Sequence, residues 1–136
     1  MNILAFFMIK PNLGELSMLN GVEELNDADV VASAQSIISK GGAEVIVVSR
    51  GAAGASLITK DEVYNCSSPT VRRRSTVGAG DTMVAAMVLA MSKNYEWLDV
   101  LRYGVAAGTA TTMNSGTELC KKNDVERLFS YIKKYG

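Results

Sequence analysis

Apolar residues run almost unbroken from Ile3 to Ile9, the pattern of a strand covered on both faces. Pro11 has no N–H to give a ladder and is expected to end that strand. Asn12 then stands as a helix N-cap with Glu15 three residues on, the spacing of a capping box, so a short helix is expected to about Gly21. A second helix opens at Asn26 or Asp27. Its Val30, Ala34, Ile37 and Ile38 share one face, and Gly41-Gly42 stops it. The β-branched run Val45-Ile46-Val47-Val48 is the clearest strand. Gly51 and Gly54 make a turn, after which Ala55 to Thr59 and Glu62 to Cys66 suit a hairpin over Lys60-Asp61. Pro69 to Arg74 is an extended basic connector. Asp81 to Met91 and Leu98 to about Met113 follow as helices that are apolar nearly all round, as helices packed on several sides are. The last helix, from about Asn123 to Tyr135, puts Val125, Leu128, Phe129 and Ile132 on one face and lysines on the other.

Strands alternating with helices predict an α/β fold with a mostly parallel sheet flanked by helices. In 136 residues these segments present more surface seeking burial than a chain of this size can cover, and the sequence reads as part of something larger. Lys and Arg number 14 against 14 Asp and Glu, which gives no electrostatic reason to expect nucleic acid or an anionic membrane. Histidine is absent altogether, excluding the Ser-His-Asp triad, the Cys-His dyad and the HExxH zinc site. Any proton transfer must use a carboxylate, lysine, tyrosine or thiol. Cys66 and Cys120 are far apart, without CxxC spacing, and read as reduced core thiols; nothing suggests a disulfide. MNILAFFMI lacks a basic flank and a cleavage site, and it is far short of the roughly 20 residues that span a bilayer. The chain is expected to be cytoplasmic, with no membrane partner.

The sharpest constellation is Ser75-Thr76-Val77-Gly78-Ala79-Gly80-Asp81, followed at once by a helix. Gly78 and Gly80 allow a tight turn and close backbone approach to a ligand. The amides at the helix N-terminus face outward, where the dipole favours an anion. A carboxylate beside such an anion hole can take a proton from an attacking hydroxyl while the amides stabilise charge on a phosphoryl group. The plainer alternative has Asp81 capping the helix and the glycines making only a turn.

Thr-x-Gly-Ala-Gly-Asp opening a long apolar helix resembles the signature of the PfkB, or ribokinase-like, carbohydrate kinases. Lys10-Pro11-Asn12-x-x-Glu15 is similar to the KPNxxE segment of its phosphosugar-kinase branch, Ser49-Arg50-Gly51-Ala52-Ala53-Gly54-Ala55 to its nucleotide loop, and Gly104 to Thr109 with Asn114 to Thr117 to the helix and loop on the adenine side. The likeness covers nearly the whole chain and is strongest to the phosphofructokinase branch. It implies the C-terminal part of a ribokinase-like three-layer fold, lacking the N-terminal half and the lid, with residues 1–136 an incomplete, nucleotide-binding portion of the kinase domain.

The resemblance implies roles position by position. Asp81 is the base, and Gly78, Ala79 and Gly80 form the anion hole. Lys10, Asn12, Ser49, Gly51, Gly54, Thr76, Gly78, Gly80, Val105 and Thr109 contact the nucleotide. Glu15 helps hold Mg²⁺, and Ser75, Val77, Thr111, Asn114 and Gly116 offer oxygens to K⁺. The substrates implied are ATP and a phosphosugar such as fructose 6-phosphate. Plainer alternatives stand beside these roles: a snorkelling Lys10, a Glu15 that only completes the capping box, and a strand turn at Ser49-Gly51-Gly54. Arg50 replaces an apolar family residue and reads as an added surface charge, while Glu118 departs from the family beside the cation loop. Arg72-Arg73-Arg74 is a solvated connector or a phosphate contact. Two functions follow: one half of an ATP-dependent phosphosugar kinase site, or a catalytically inactive nucleotide-binding or assembly module that self-associates or pairs with the missing N-terminal half.

Overall fold

The computed structural model describes residues 2–4, 7–19, 21, 27–71, 78–113 and 122–135. They fall into two units, Met1–Gly51 with Ala55–Asn65, and Ala52–Gly54 with Cys66–Gly136.

In the first unit the strands are β1 (Asn2–Leu4), β2 (Met8–Lys10), β3 (Val45–Ser49), β4 (Ala55–Ile58) and β5 (Val63–Cys66), hydrogen-bonded in that order. The expected single strand from Ile3 to Ile9 is corrected to two, β1 and β2, paired antiparallel with Ile3 opposite Ile9. An unbroken apolar run suits either arrangement, because nothing in its composition marks a turn. The expectation of a mostly parallel sheet is corrected too. β2 pairs parallel with β3, but β1 with β2 and β3 with β4 are antiparallel, with Ile46 opposite Ile58 and Val48 opposite Ser56. The short 3₁₀ turn Gly51–Ala53 returns the chain directly alongside β3, whereas a parallel partner needs a crossover.

Two helices belong to this unit. α1 (Leu13–Leu19) opens on the expected capping box: the Glu15 N–H donates to Asn12 Oδ1 at 2.8 Å and the Asn12 N–H to Glu15 Oε1 at 3.0 Å. α2 (Asp27–Ser39) closes as Gly41-Gly42 predicts. Gly41 adopts φ +80°, its N–H bonds Ile38 O, and the Gly42 N–H bonds Ile37 O, the paired bonds of a Schellman cap. Leu16, Val30 and Ala34 of these helices pack with Ile9, Ile46, Val48 and Ile58 from one face of the sheet. Val45 and Val47 on the other face are buried as well.

The second unit contains α3 (Ala79–Ser92), α4 (Trp97–Thr112) and α5 (Lys122–Tyr135), within two residues of the expected starts. Glycine lets α3 and α4 approach closely. A Cβ on Gly104 would lie 2.5 Å from Met87 Cγ, and one on Gly108 3.3 Å from the Ala79 carbonyl oxygen. α5 adds Val125, Leu128, Phe129 and Ile132 to the core. Its Phe129 stands edge-on to Tyr103, with centroids 5.1 Å apart. Among the described residues no helix is long and apolar enough to cross a membrane.

Candidate functional site

The structure brings one group of expected site residues together in the first unit and another in the second. In the first, β2 runs on past Pro11 as a parallel neighbour of β3: Asn12 bridges Ser49, and the Ser49 N–H donates to Pro11 O at 3.1 Å. Proline supplies the acceptor here, so its missing N–H costs the ladder nothing. That register sets Lys10, Asn12 and Ser49, 39 positions apart at the extremes, side by side. Lys10 is only 8% exposed, and its Nζ donates to Ser49 Oγ at 3.5 Å. No carboxylate is shown paired with it among the described residues. The nearest opposite charge is Glu15, whose carboxyl is held below its usual range chiefly by its hydrogen bonds and to a lesser degree by the Lys10 charge. Glu15 completes the capping box and lies one turn into α1, beside this group. Gly51, just beyond β3, takes φ +58°.

Arg50 is not a surface charge. It is half-buried, its Nη1 donates to Ser56 Oγ at 2.7 Å, and Ser56 Oγ donates to Asn65 Oδ1 at 2.6 Å. Its Nε is buried without a partner. Arg50, Ser56 and Asn65 thus form a polar strut across β3, β4 and β5. Ser56 and Asn65 went unnoticed in the sequence, where a serine inside an apolar strand was the available signal.

In the second unit α3 starts at Gly78, whose φ of +76° and ψ of 0° are left-handed. Ala79, Gly80 and Asp81 form the first turn, so their N–H groups have no partner within the helix. The Thr82 N–H and Oγ1 both bond Gly78 O at 2.9 Å, closing the turn behind them. Asp81 is exposed at the third helical position, and no side chain caps the helix. Gly78 occupies the N-cap position, and Asp81 is the acidic residue of the first turn. The contact of Gly108 with Ala79 holds the C-terminal half of α4 against this turn. Val105 and Thr109, one turn apart on α4, are buried, and Thr109 Oγ1 lies 3.0 Å from Ser68 Oγ. Ser68 is a further residue the sequence did not single out. Thr111 is buried and donates to Ala107 O at 3.0 Å. Gly54, at φ +103°, sits against the backbone of Cys66, Ser67 and Ser68.

Ser75, Thr76, Val77, Asn114 and Gly116 lie outside the described residues, as do Arg72 to Arg74, Glu118 and Cys120. Cys66 is a free thiol, and burial pushes its pKa up to about 11, with the Arg102 charge opposing.

The pfkB family of carbohydrate kinases matches residues 3–124. The chain belongs to this family. The ATP-dependent 6-phosphofructokinase isozyme 2 of Escherichia coli is 40% identical over 127 residues, covering 93% of this chain and 41% of that protein. Its counterpart in Mycobacterium tuberculosis is 40% identical over 123 residues, covering 90% and 36%. Phosphofructokinase-2 of E. coli, solved with substrates and products, superposes with a TM-score of 0.88 at 39% identity over 93% of this chain and 41% of that one. The ribokinase of Arabidopsis thaliana, solved with ribose and ATP, superposes at 0.81 and 26% identity, covering 90% and 40%. These neighbours give the chain a ribokinase-like α/β fold. The chain spans about two fifths of the length of the relatives it matches.

Proposed function

We propose that this chain supplies the ATP site, the anion hole and the catalytic base for phosphoryl transfer from ATP to a hydroxyl of a phosphosugar such as fructose 6-phosphate. The observation that carries this is the start of α3, a left-handed Gly78 followed by a first turn whose amides face outward, with exposed Asp81 among them. Asp81 takes the proton of the acceptor hydroxyl, and the amides of Gly78, Ala79 and Gly80 hold charge on the transferring group. Lys10 serves the nucleotide phosphates, its buried ammonium held beside Ser49 at the end of β2. Asn12, Ser49, Gly51, Gly54, Thr76, Val105 and Thr109 line the nucleotide, with residues 1–136 forming the C-terminal part of a three-layer domain.

One Glu15 oxygen is committed to the Asn12 N–H, and among the described residues no cluster of three or more Asp, Glu, Cys or His stands ready for a metal. That donor set fits Mg²⁺ carried on phosphate oxygens and water, with Glu15 an outer contact, rather than an ion caged by the protein. When bound, Mg²⁺ neutralises charge on the phosphate oxygens. The family's K⁺ would fall to Ser75, Val77, Thr111, Asn114 and Gly116. We place the chain in the cytoplasm, with neither nucleic acid nor membrane as partner.

Because the chain spans about two fifths of its relatives, a second function stands beside the first: a catalytically inactive nucleotide-binding or assembly module that pairs with the missing half or with itself. Calorimetric titration with Mg-ATP and an assay of sugar-phosphate-dependent ADP production separate the two. The isolated chain is expected to bind Mg-ATP weakly and turn over little. Together with the missing half, Asp81→Asn is expected to lower kcat about 10²–10⁴-fold with Mg-ATP affinity retained. Full turnover by Asp81→Asn would overturn the assignment of the base.

A further inference from the structure

Arg50, which stands in place of an apolar family residue, follows directly on β3. That strand ends at Ser49, and the pairing of Ser49 with Ala55 is the last rung between β3 and β4. Arg50 is the first residue beyond the rung, and Gly51 at φ +58° comes next. Backbone pairing therefore stops where the chain gains the freedom of glycine. The Arg50 side chain takes over at this point. Its Nη1 reaches back across the turn to Ser56 Oγ at 2.7 Å, and Ser56 lies on the rung before the last. Ser56 is 1% exposed, and its single hydroxyl proton goes to Asn65 Oδ1 at 2.6 Å, leaving the oxygen to accept from the guanidinium. A charged donor at the head of this chain of bonds polarises and strengthens both.

As a stabilising device the arrangement is poor. Arg50 Nε is buried without a partner, and among the described residues no carboxylate pairs with the guanidinium. An apolar side chain would fill the space without either cost. What the strut does fix is the end of β3. Ser49 sits there with its N–H on Pro11 O at 3.1 Å and its Oγ 3.5 Å from Lys10 Nζ. Arg50, Ser56, Asn65, Ser49 and Lys10 all belong to the first unit. We infer that Arg50 is a positioning residue for the nucleotide site: through Ser56 and Asn65 it holds the end of β3, so that Ser49 and Gly51 keep one geometry and Ser49 stays beside Lys10. This deepens the functional proposal above and rests on it. The guanidinium, turned back to β4 and β5, acts through the backbone on either side of Arg50.

The test uses the chain itself, with two readouts. One is calorimetric titration with Mg-ATP; the other is amide hydrogen exchange at Ser49 relative to Val47 in the middle of β3, measured without nucleotide. Arg50→Met and Asn65→Leu are expected to weaken Mg-ATP binding about three- to tenfold and to speed the relative exchange of Ser49 by a similar factor, the worth of one hydrogen bond. Asn65 is exposed on β5, so Asn65→Leu tests the strut even where Arg50→Met folds poorly. Asn65→Asp keeps an acceptor for Ser56 and is expected to match wild type in both readouts. Ile58→Val, in the core of the same sheet, is expected to lower stability and leave both unchanged. Wild-type behaviour of Arg50→Met, an Asn65→Asp no better than Asn65→Leu, or an Ile58→Val that weakens binding as Arg50→Met does would each overturn the inference. A wild-type chain that binds no Mg-ATP defeats the functional proposal, and the exchange of Ser49 then decides alone whether the strut holds the end of β3.

Discussion

Gly54→Ala should destabilise the protein far more than Gly51→Ala, although both glycines lie in one turn at positive φ. At Gly51 the angle is +58° and a Cβ would meet nothing within 4 Å. The cost there is the left-handed backbone alone, about 1 kcal/mol. At Gly54 the angle is +103°, and a Cβ would lie 2.1 Å from the Cys66 carbonyl oxygen and 2.9 Å from both Ser67 Cα and Ser68 N. These are main-chain atoms, which cannot swing aside as a methionine can. The left-handed term of about 1–2 kcal/mol is therefore joined by about 1–3 kcal/mol of backbone distortion. About 0.4–1 kcal/mol returns through the less flexible unfolded chain. The net is roughly 2–4 kcal/mol, or a thermal midpoint lowered by roughly 8–16 °C in a chain of this size. With the same unfolded-state return set against about 1 kcal/mol, Gly51→Ala should lower it by only about 2 °C or less. Circular dichroism melts of the two variants beside wild type measure the difference. A Gly54→Ala midpoint within 2 °C of wild type, or equal losses in both variants, would refute the close approach of residue 54 to the chain after β5.

Cys66 sets a second expectation. Its thiol is held near 11, above its ordinary value of 9.0, because burial disfavours the thiolate. The folded state keeps that proton while the unfolded state releases it, so the stabilisation is whole below pH 9 and lost as pH rises towards 11. A shift of this size corresponds to roughly 2–3 kcal/mol, and Cys66→Ala should show a correspondingly flatter stability profile between those pH values in urea unfolding. Parallel profiles would count against it. The Arg50 strut yields the third. Ser56→Ala strands the Arg50 Nη1 donor and should cost about 1–3 kcal/mol. Arg50→Met removes the stranded donor together with the unpaired Nε and should cost less than Ser56→Ala. The reverse order in denaturant unfolding would show that the guanidinium earns its place by other contacts.

The local elements were legible because each rests on short-range chemistry. Asn12 and Glu15 cap α1 through two reciprocal bonds within four residues, and Gly41-Gly42 ends α2 because its left-handed turn suits glycine. The anion-hole turn was legible for the same reason: Gly78 to Asp81 are consecutive, so glycine geometry and helix termination act on neighbours. The apolar run at Ile3 to Ile9 marked burial but not direction, since a buried strand and a buried hairpin have the same composition. Composition therefore leaves the direction of the sheet open.

What spacing cannot show is which distant residues meet. Only the register of β2 on β3 sets Lys10 beside Ser49, and only the antiparallel return of β4 carries Ser56 to the guanidinium of Arg50. Gly104 and Gly108 were visible as small residues, but their partners Met87 and Ala79 belong to another helix. The sequence by itself determined the caps, the turns and the types of residue able to do chemistry, because those depend on neighbours along the chain. The tertiary structure decided which of them stand together, because strand register and helix approach are set by packing between segments.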